Sequence, residues 1–167
     1  MTEIKSIAVY AASSSQVPQP FFEAAGALGA QMAAKGIRLV YGAGKVGLMG
    51  ALADACLGGG GTVTGVIPQF MVDNGWCRDG LTELVVTPDM HVRKETIVSM
   101  GDATIALPGG CGTLEELLEM FDRAIGNRFM RPVHRSLWSV AATPEEALQL
   151  AETTPPWDTG ISKMAQI

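Results

Sequence analysis

Short runs of apolar residues alternate along the chain with longer segments in which apolar positions recur at helical spacing. The short runs are rich in β-branched residues and end in glycine, proline or small polar residues, which is typical of strands. They predict strands over residues 4–10, 37–41, 62–67, 81–87 and 103–107. Because helical segments separate these strands over short connections, the pattern predicts an α/β fold, a Rossmann-like doubly wound parallel sheet with helices on both faces.

The loops that follow the predicted strands form one candidate site. The carboxyl ends of parallel strands lie at the same edge of a sheet, and ligands of such folds bind there. The loops at this edge cover residues 13–15, 42–47, 68, 91–94 and 109–116. Residues 69–80 mix apolar and turn residues, so we expect a mobile loop or a small helix close to the ligand.

The loop after the last of these strands carries the most informative chemistry. It reads PGGCGTLEE over residues 108–116, and Thr113 begins a predicted helix. Its glycines allow a tight turn, and they are Gly109, Gly110 and Gly112. Backbone N–H groups at such a turn, together with the helix dipole, favour an anion, most often a phosphate. Glu115 and Glu116 point about 100° apart on a helix, so both cannot face the same ligand atom.

A second glycine-rich turn, GAGKVG, covers residues 42–47. Its spacing is similar to the GxGxxG motif of dinucleotide-binding proteins, but no acidic residue follows the next strand to hold a ribose. It is not a P-loop either, because Lys45 is followed by valine and the required spacing of the glycines is absent. The turn therefore does not favour a site for NAD or ATP.

Two adjacent cations, Arg93 and Lys94, lie in the first turns of a helix that we expect to begin near Asp89, its N-cap. Cations near a helix N-terminus oppose the helix dipole, so something other than helix stability favours them there. A phosphate, or the carboxylate of Glu116 across the edge of the sheet, would do so. The alternative is a solvated charged face.

Composition narrows the class of ligand. A net charge of −5 and a pI near 5.0 argue against nucleic-acid binding, which needs clustered Lys and Arg.

No apolar run reaches bilayer-spanning length and the N-terminus does not resemble a signal peptide, so we predict a cytoplasmic protein with no membrane partner. Cys56, Cys77 and Cys111 form no CxxC pair, and no metal site is predicted. We predict one domain over residues 1–167, with a tail at 153–167.

Three motifs together resemble the LOG family, the cytokinin riboside 5′-monophosphate phosphoribohydrolases that have long been mislabelled as lysine decarboxylases. The motifs are YGAGKVGLMG at 41–50, DMHVRK at 89–94 and PGGCGTLEE at 108–116. The resemblance implies a homodimer that hydrolyses the N-glycosidic bond of AMP or N6-substituted AMP, without metal or organic cofactor. The residues do not support a decarboxylase activity, because no lysine is placed to form a pyridoxal Schiff base.

The resemblance also implies roles for individual residues. Arg93 and Glu116 would be the catalytic pair, since N-glycosidic cleavage passes through an oxocarbenium-like state that a carboxylate stabilises. The phosphate would be held by Gly109, Gly110, Gly112 and Thr113. Further substrate contacts would come from Lys94, Met90, Ser14 and Gly44. The alternative is a non-catalytic nucleotide-binding or carrier protein that uses the same turn for a monophosphate, a pterin or a tRNA-type ligand.

The chain departs from the family pattern at two places. Its YGAGKVG turn has Ala43 where the family form, YGGGxxG, has glycine. After Glu119, one strand-helix unit of the family's sheet is absent. Either the chain is shortened there, at the expense of an edge strand, or a stretch is missing from the sequence, and we favour the missing stretch.

Overall fold

The computed structural model describes residues 4–108 and 139–153. Its elements in chain order are β1 (Ser6–Tyr10), α1 (Gln19–Ala34), β2 (Arg38–Tyr41), α2 (Gly47–Gly58), β3 (Val63–Pro68), α3 (Gln69–Asp73), β4 (Glu83–Thr87), α4 (Met90–Ser99), β5 (Ala103–Ala106) and α5 (Pro144–Thr153). The predicted strands are confirmed with small shifts at their ends. Pro68, expected to close the third strand from outside, is instead its last residue and pairs with Thr87. The expected small helix after it is α3.

The strands form one parallel sheet in the order β4-β3-β2-β1-β5. The chain first moves outward from β1 through β2 and β3 to β4, and then returns to the other side of β1 as β5. The loops that follow β1 and β2 therefore stand beside those that follow β3 and β5, as expected for a doubly wound sheet. The predicted parallel α/β fold is confirmed.

The two faces of the sheet carry separate apolar clusters because side chains alternate along each strand. In β1, Ile7 and Val9 join the larger cluster, which includes residues of α1, α2 and α5. Ala8 belongs to the smaller cluster on the opposite face, against which Tyr10 also packs. Ile97 of α4 is buried in that smaller cluster. Helices thus cover both faces of the sheet, and α4 brings its N-terminal turn to the loop edge.

Two aspartate side chains, one before α4 and one after it, hold the neighbouring backbone by hydrogen bonds. The Asp89 carboxylate accepts hydrogen bonds from the backbone N–H groups of His91 and Val92 at 2.8 and 2.9 Å, which confirms the predicted N-cap. At the opposite edge of the sheet, Asp102 accepts from the backbone N–H groups of Lys5 and Ser6, each at 2.9 Å. These contacts lower the pKa of the Asp102 carboxyl. They also join the start of β1 to the start of β5.

Candidate functional site

A cavity of about 280 Å³ opens at the carboxyl ends of β1 and β2, beside the first turns of α4. One part of its wall is largely apolar and consists of Val9, Tyr10, Ala11, Met49 and Ile97. The rest is polar or glycine and consists of Ser13, Gly42, Arg93 and Lys94. The structure therefore brings together three of the loops that the sequence placed at this edge of the sheet.

Arg93 is held in this cavity by main-chain carbonyl groups. Its Nε donates to the carbonyl oxygen of Val66 at 3.0 Å, and its Nη2 donates to that of Gly42 at 2.7 Å. Its Nη1 lies 3.6 Å from Sδ of Met90. The carbonyls of Val66 in β3 and of Gly42 just after β2 thus stabilise a cation that opposes the α4 dipole. The sequence pointed to a phosphate or to Glu116 for that role, and it did not reveal the two carbonyls.

The guanidinium of Arg93 remains charged in this position. Burial lowers its pKa from the ordinary value, and the neighbouring Tyr10 phenol acts in the opposite direction. A guanidinium pKa begins so high that such a shift leaves the group protonated at neutral pH. The cavity therefore has a fixed positive charge, and the adjacent Lys94 lines the same wall.

Gly42 is the glycine of the second turn that lies against Arg93. A Cβ atom built on Gly42 would overlap Nη2 of Arg93 and would stand 3.1 Å from its Cζ. Gly44, the glycine named by the family resemblance, is not part of the cavity wall. A Cβ atom on Gly44 would meet Cε of Met49 at 2.6 Å, and its carbonyl accepts a hydrogen bond from the Tyr41 hydroxyl at 3.3 Å. A substrate contact by Gly44 stays a prediction.

The loop after β1 that contains Ser13 to Ser15, the serine loop, is fixed by the start of α2. A Cβ atom on Gly47, which has a φ of 67°, would lie 2.5 Å from the carbonyl carbon of Ser13. The Met49 N–H donates to the carbonyl of Ala12 at 3.3 Å, so one free donor of the α2 N-terminus is already used. Ser13 lines the cavity. The Oγ of Ser14 accepts from the Gln16 N–H at 3.2 Å, and a substrate contact by Ser14 stays a prediction.

Tyr10 is a cavity residue that the sequence reasoning missed. It ends β1 on the face covered by α4, and alternation along that strand would have placed it above the smaller apolar cluster. Burial raises its pKa, and the positive charge of Arg93 partly opposes this effect. The phenol is therefore neutral at pH 7 and can donate a hydrogen bond.

The backbone of the second turn adopts an unusual conformation at the position where the chain departs from its family pattern. Ala43 has a φ of 55°, in the left-handed region, and its side chain is fully buried. Its carbonyl accepts from the Arg78 N–H at 2.9 Å, and Arg78 also forms an ion pair with Asp54. A methyl group thus occupies a backbone geometry that favours glycine.

The remaining predicted site residues lie outside the described part of the chain. They are Gly109, Gly110, Gly112, Thr113 and Glu116, and Cys111 falls in the same stretch. Met90 lies at the start of α4 beside Arg93 and is partly exposed. Within residues 4–108 and 139–153, no group of three or more His, Cys, Asp or Glu side chains is placed to hold a metal ion. In those same ranges, no helix is long and apolar enough to cross a bilayer.

Comparison with known proteins identifies the family. A family model described as "Possible lysine decarboxylase" matches residues 49–133. A probable cytokinin riboside 5′-monophosphate phosphoribohydrolase of Oryza sativa subsp. japonica is 34% identical over 192 residues, covering 98% of this chain and 79% of that protein. The chain belongs to the LOG family. A cytokinin riboside 5′-monophosphate phosphoribohydrolase of Rhodococcoides fascians is 46% identical over 117 residues, which cover 70% of this LOG-family chain and 59% of that protein.

The alignment with the rice protein also bears on the second departure from the LOG pattern. It runs over 192 positions, whereas this chain has 167 residues, so the relative contains internal residues that this LOG-family chain lacks. This difference agrees with the expected absence of a strand-helix unit. Its predicted position after Glu119 lies outside the described residues.

Solved structures agree with the LOG-type fold. The molybdenum cofactor carrier protein of Chlamydomonas reinhardtii superimposes with a TM-score of 0.68 at 21% identity, covering 89% of this chain and 96% of that protein. A molybdenum cofactor binding protein of Rippkaea orientalis gives a TM-score of 0.62 at 20% identity, covering 87% and 92%. At such identities the likeness concerns the fold alone.

Proposed function

We propose that this protein hydrolyses the N-glycosidic bond of AMP or of N6-substituted AMP, the cytokinin riboside 5′-monophosphates, and releases the free base and ribose 5-phosphate. The observation that carries the proposal is Arg93, held by the main-chain carbonyls of Val66 and Gly42 in the cavity of a LOG-family chain. Relatives named as phosphoribohydrolases support the reaction, and the adjacent Lys94 adds a second cation for an anionic substrate.

In the proposed reaction, water replaces the base at C1′ of the ribose. The C1′–N9 bond breaks, its electron pair leaves with the base, and positive charge develops on the ribose ring. Glu116 stabilises that charge and takes a proton from the attacking water, the departing base takes up a proton from solvent, and Glu116 then returns its proton to solvent. Arg93 orients the Glu116 carboxylate or the ribose hydroxyls. Because the two carbonyls already hold Arg93, little reorganisation is needed when substrate binds.

The phosphate is assigned to the turn formed by Gly109, Gly110, Gly112 and Thr113, on the family resemblance. The other glycine-rich turn is a poorer candidate, since the Met49 N–H at the start of α2 already donates to Ala12. Lys94, Met90, Ser14 and Gly44 are proposed as further contacts.

Incubation with isopentenyl-AMP, AMP and the unphosphorylated riboside, followed by chromatography of the free base, tests this proposal. We expect release of base from a monophosphate and much slower release from the riboside, because the riboside lacks the phosphate anchor. Binding of monophosphates without release of base would overturn the enzyme proposal and support the non-catalytic alternative.

A pair of glutamate variants tests the assignment of Glu116. Glu116→Gln should keep AMP binding but lose turnover, whereas Glu115→Gln should change turnover much less. Equal losses in both variants would mean that the carboxylate was assigned wrongly.

We further propose a homodimer, a single domain over residues 1–167 and a cytoplasmic location. The family resemblance supports the dimer and suggests that the site lies near the subunit interface. Light scattering on the eluting peak of a gel-filtration column would test the dimer, because a mass near 17.5 kDa would identify a monomer.

A further inference from the structure

Tyr10 combines a packed ring with a place in the cavity wall, and its phenol is near enough to Arg93 for the two charges to influence each other. The ring packs against the smaller apolar cluster, which contains Ala8, Val40, Val66 and Ile97. Tyr10 also lines the cavity together with Arg93 and Lys94. Ordering this side chain on ligand binding therefore has a small entropic cost, because the ring is already packed.

The Tyr10 hydroxyl differs from that of Tyr41 in its hydrogen bonding. Among residues 4–108 and 139–153 it has no hydrogen-bond partner, whereas the Tyr41 hydroxyl donates to the carbonyl of Gly44 at 3.3 Å. Phenol hydroxyls near the interior normally find a partner. Burial raises the pKa of Tyr10, so the group is a donor at neutral pH.

The charges beside Tyr10 indicate which part of a nucleotide it meets. Arg93 and Lys94 line the same cavity, and such cations attract phosphate and sugar oxygens rather than an uncharged purine. We infer that the Tyr10 hydroxyl donates a hydrogen bond to an oxygen of the ribose 5-phosphate part of the substrate. This assignment rests on the proposed function and adds a substrate-binding residue to it.

The inference can be tested by calorimetric titration of the full-length protein with ribose 5-phosphate, AMP and free adenine. Tyr10→Phe keeps the ring and removes the hydroxyl, so we expect about tenfold weaker binding of ribose 5-phosphate and AMP. Binding of adenine should stay within about twofold, since it makes no use of this hydrogen bond. Ser99→Ala, which removes a hydroxyl from the exposed end of α4, is the control and should change none of these constants.

Two results with the Tyr10→Phe variant would overturn the inference. One is unchanged binding of ribose 5-phosphate by Tyr10→Phe with an unchanged melting temperature. The other is an equal loss for adenine, which would assign the ring to the base instead. A protein that binds AMP without cleaving it would refute the proposed hydrolysis, but the same titrations would still decide the role of Tyr10. Failure of the wild-type protein to bind ribose 5-phosphate would also overturn the inference.

Discussion

Nη2 of Arg93 lies 2.7 Å from the carbonyl oxygen of Gly42, and the hydrogen bond between them spans 51 positions of sequence. It joins the first turns of α4 to the end of β2. The absence of a side chain at Gly42 makes this approach possible, because a Cβ atom would overlap the guanidinium. The position of the Arg93 side chain in the cavity therefore requires glycine at position 42, in a turn that is distant in sequence.

Gly42→Ala should displace Arg93 and reduce turnover. The added methyl group competes with Nη2 for the same space, and misplacement of a catalytic group by about 1 Å can lower the rate about 100-fold. We expect kcat for release of the free base to fall by about 10- to 100-fold. Gly58→Ala is the matched control, since a Cβ atom there meets nothing within 4 Å. Full activity of Gly42→Ala would contradict the carbonyl-held geometry.

Arg93→Lys should lose most of the activity although it keeps the positive charge. An ammonium group cannot reproduce the planar fork that reaches both the Val66 and Gly42 carbonyls. We expect a fall in kcat/KM of about 100-fold together with a lower melting temperature. Arg38→Lys makes the same change at the start of β2, at the opposite edge of the sheet, and should leave activity intact. Near-normal turnover by Arg93→Lys would indicate that charge alone suffices.

Ala43→Gly should change stability little, despite removing a buried methyl group. Loss of that methyl and the greater freedom of glycine in the unfolded chain together cost about 1 to 2 kcal/mol. Relief of the left-handed conformation at a φ of 55° returns about 1 to 2 kcal/mol, so the two effects nearly cancel. Ala12→Gly is the control: this alanine is also buried but has no positive φ, and it should lose the full amount. Equal destabilisation in urea titrations of both variants would refute the predicted strain.

Asp102 should contribute stability near neutral pH that disappears in acid. Its folded-state pKa lies below the ordinary value, chiefly because the Lys5 N–H and the Ser6 hydroxyl donate to the carboxylate. The contribution is therefore present above the unfolded-state pKa of about 3.9 and is lost as the pH falls through the folded-state value. Because the carboxylate is exposed to solvent, we expect it to be no more than about 1 kcal/mol.

The measurement for Asp102 is the free energy of unfolding as a function of pH. Asp102→Asn should be less stable than wild type at pH 7, and the difference should shrink below about pH 3. Glu23→Gln, on an exposed position of α1, controls for the loss of one negative charge. A difference that is independent of pH would show that the carboxylate's charge is irrelevant to the contact.

The sequence predicted the parts of this protein that depend on local pattern. The positions of the strands and their parallel direction follow from the apolar pattern and from the glycine and proline signals between the strands. The Asp89 cap follows from capping chemistry. The proximity of Arg93 to the serine loop and to the second glycine turn followed from the fold class.

Tertiary geometry decided what the sequence did not predict. The partners of Arg93 are main-chain carbonyls, and every residue has one, so no residue type marks them. The choice of Gly42 over Gly44 as the cavity residue depends on which way the turn faces. Tyr10 could have been found from the alternation in β1, but its aromatic character indicated only a strand residue.

The hydrogen bonds of Arg93 have a consequence for folding as well as for chemistry. Successive carbonyls along a strand point in opposite directions, so slippage of β3 by one residue would turn the Val66 carbonyl away from the guanidinium. Arg93 can therefore make both of its carbonyl hydrogen bonds only when β2 and β3 are paired in the correct register. A misregistered sheet would leave the cation without its acceptors, and only correctly paired molecules would present it to a ligand.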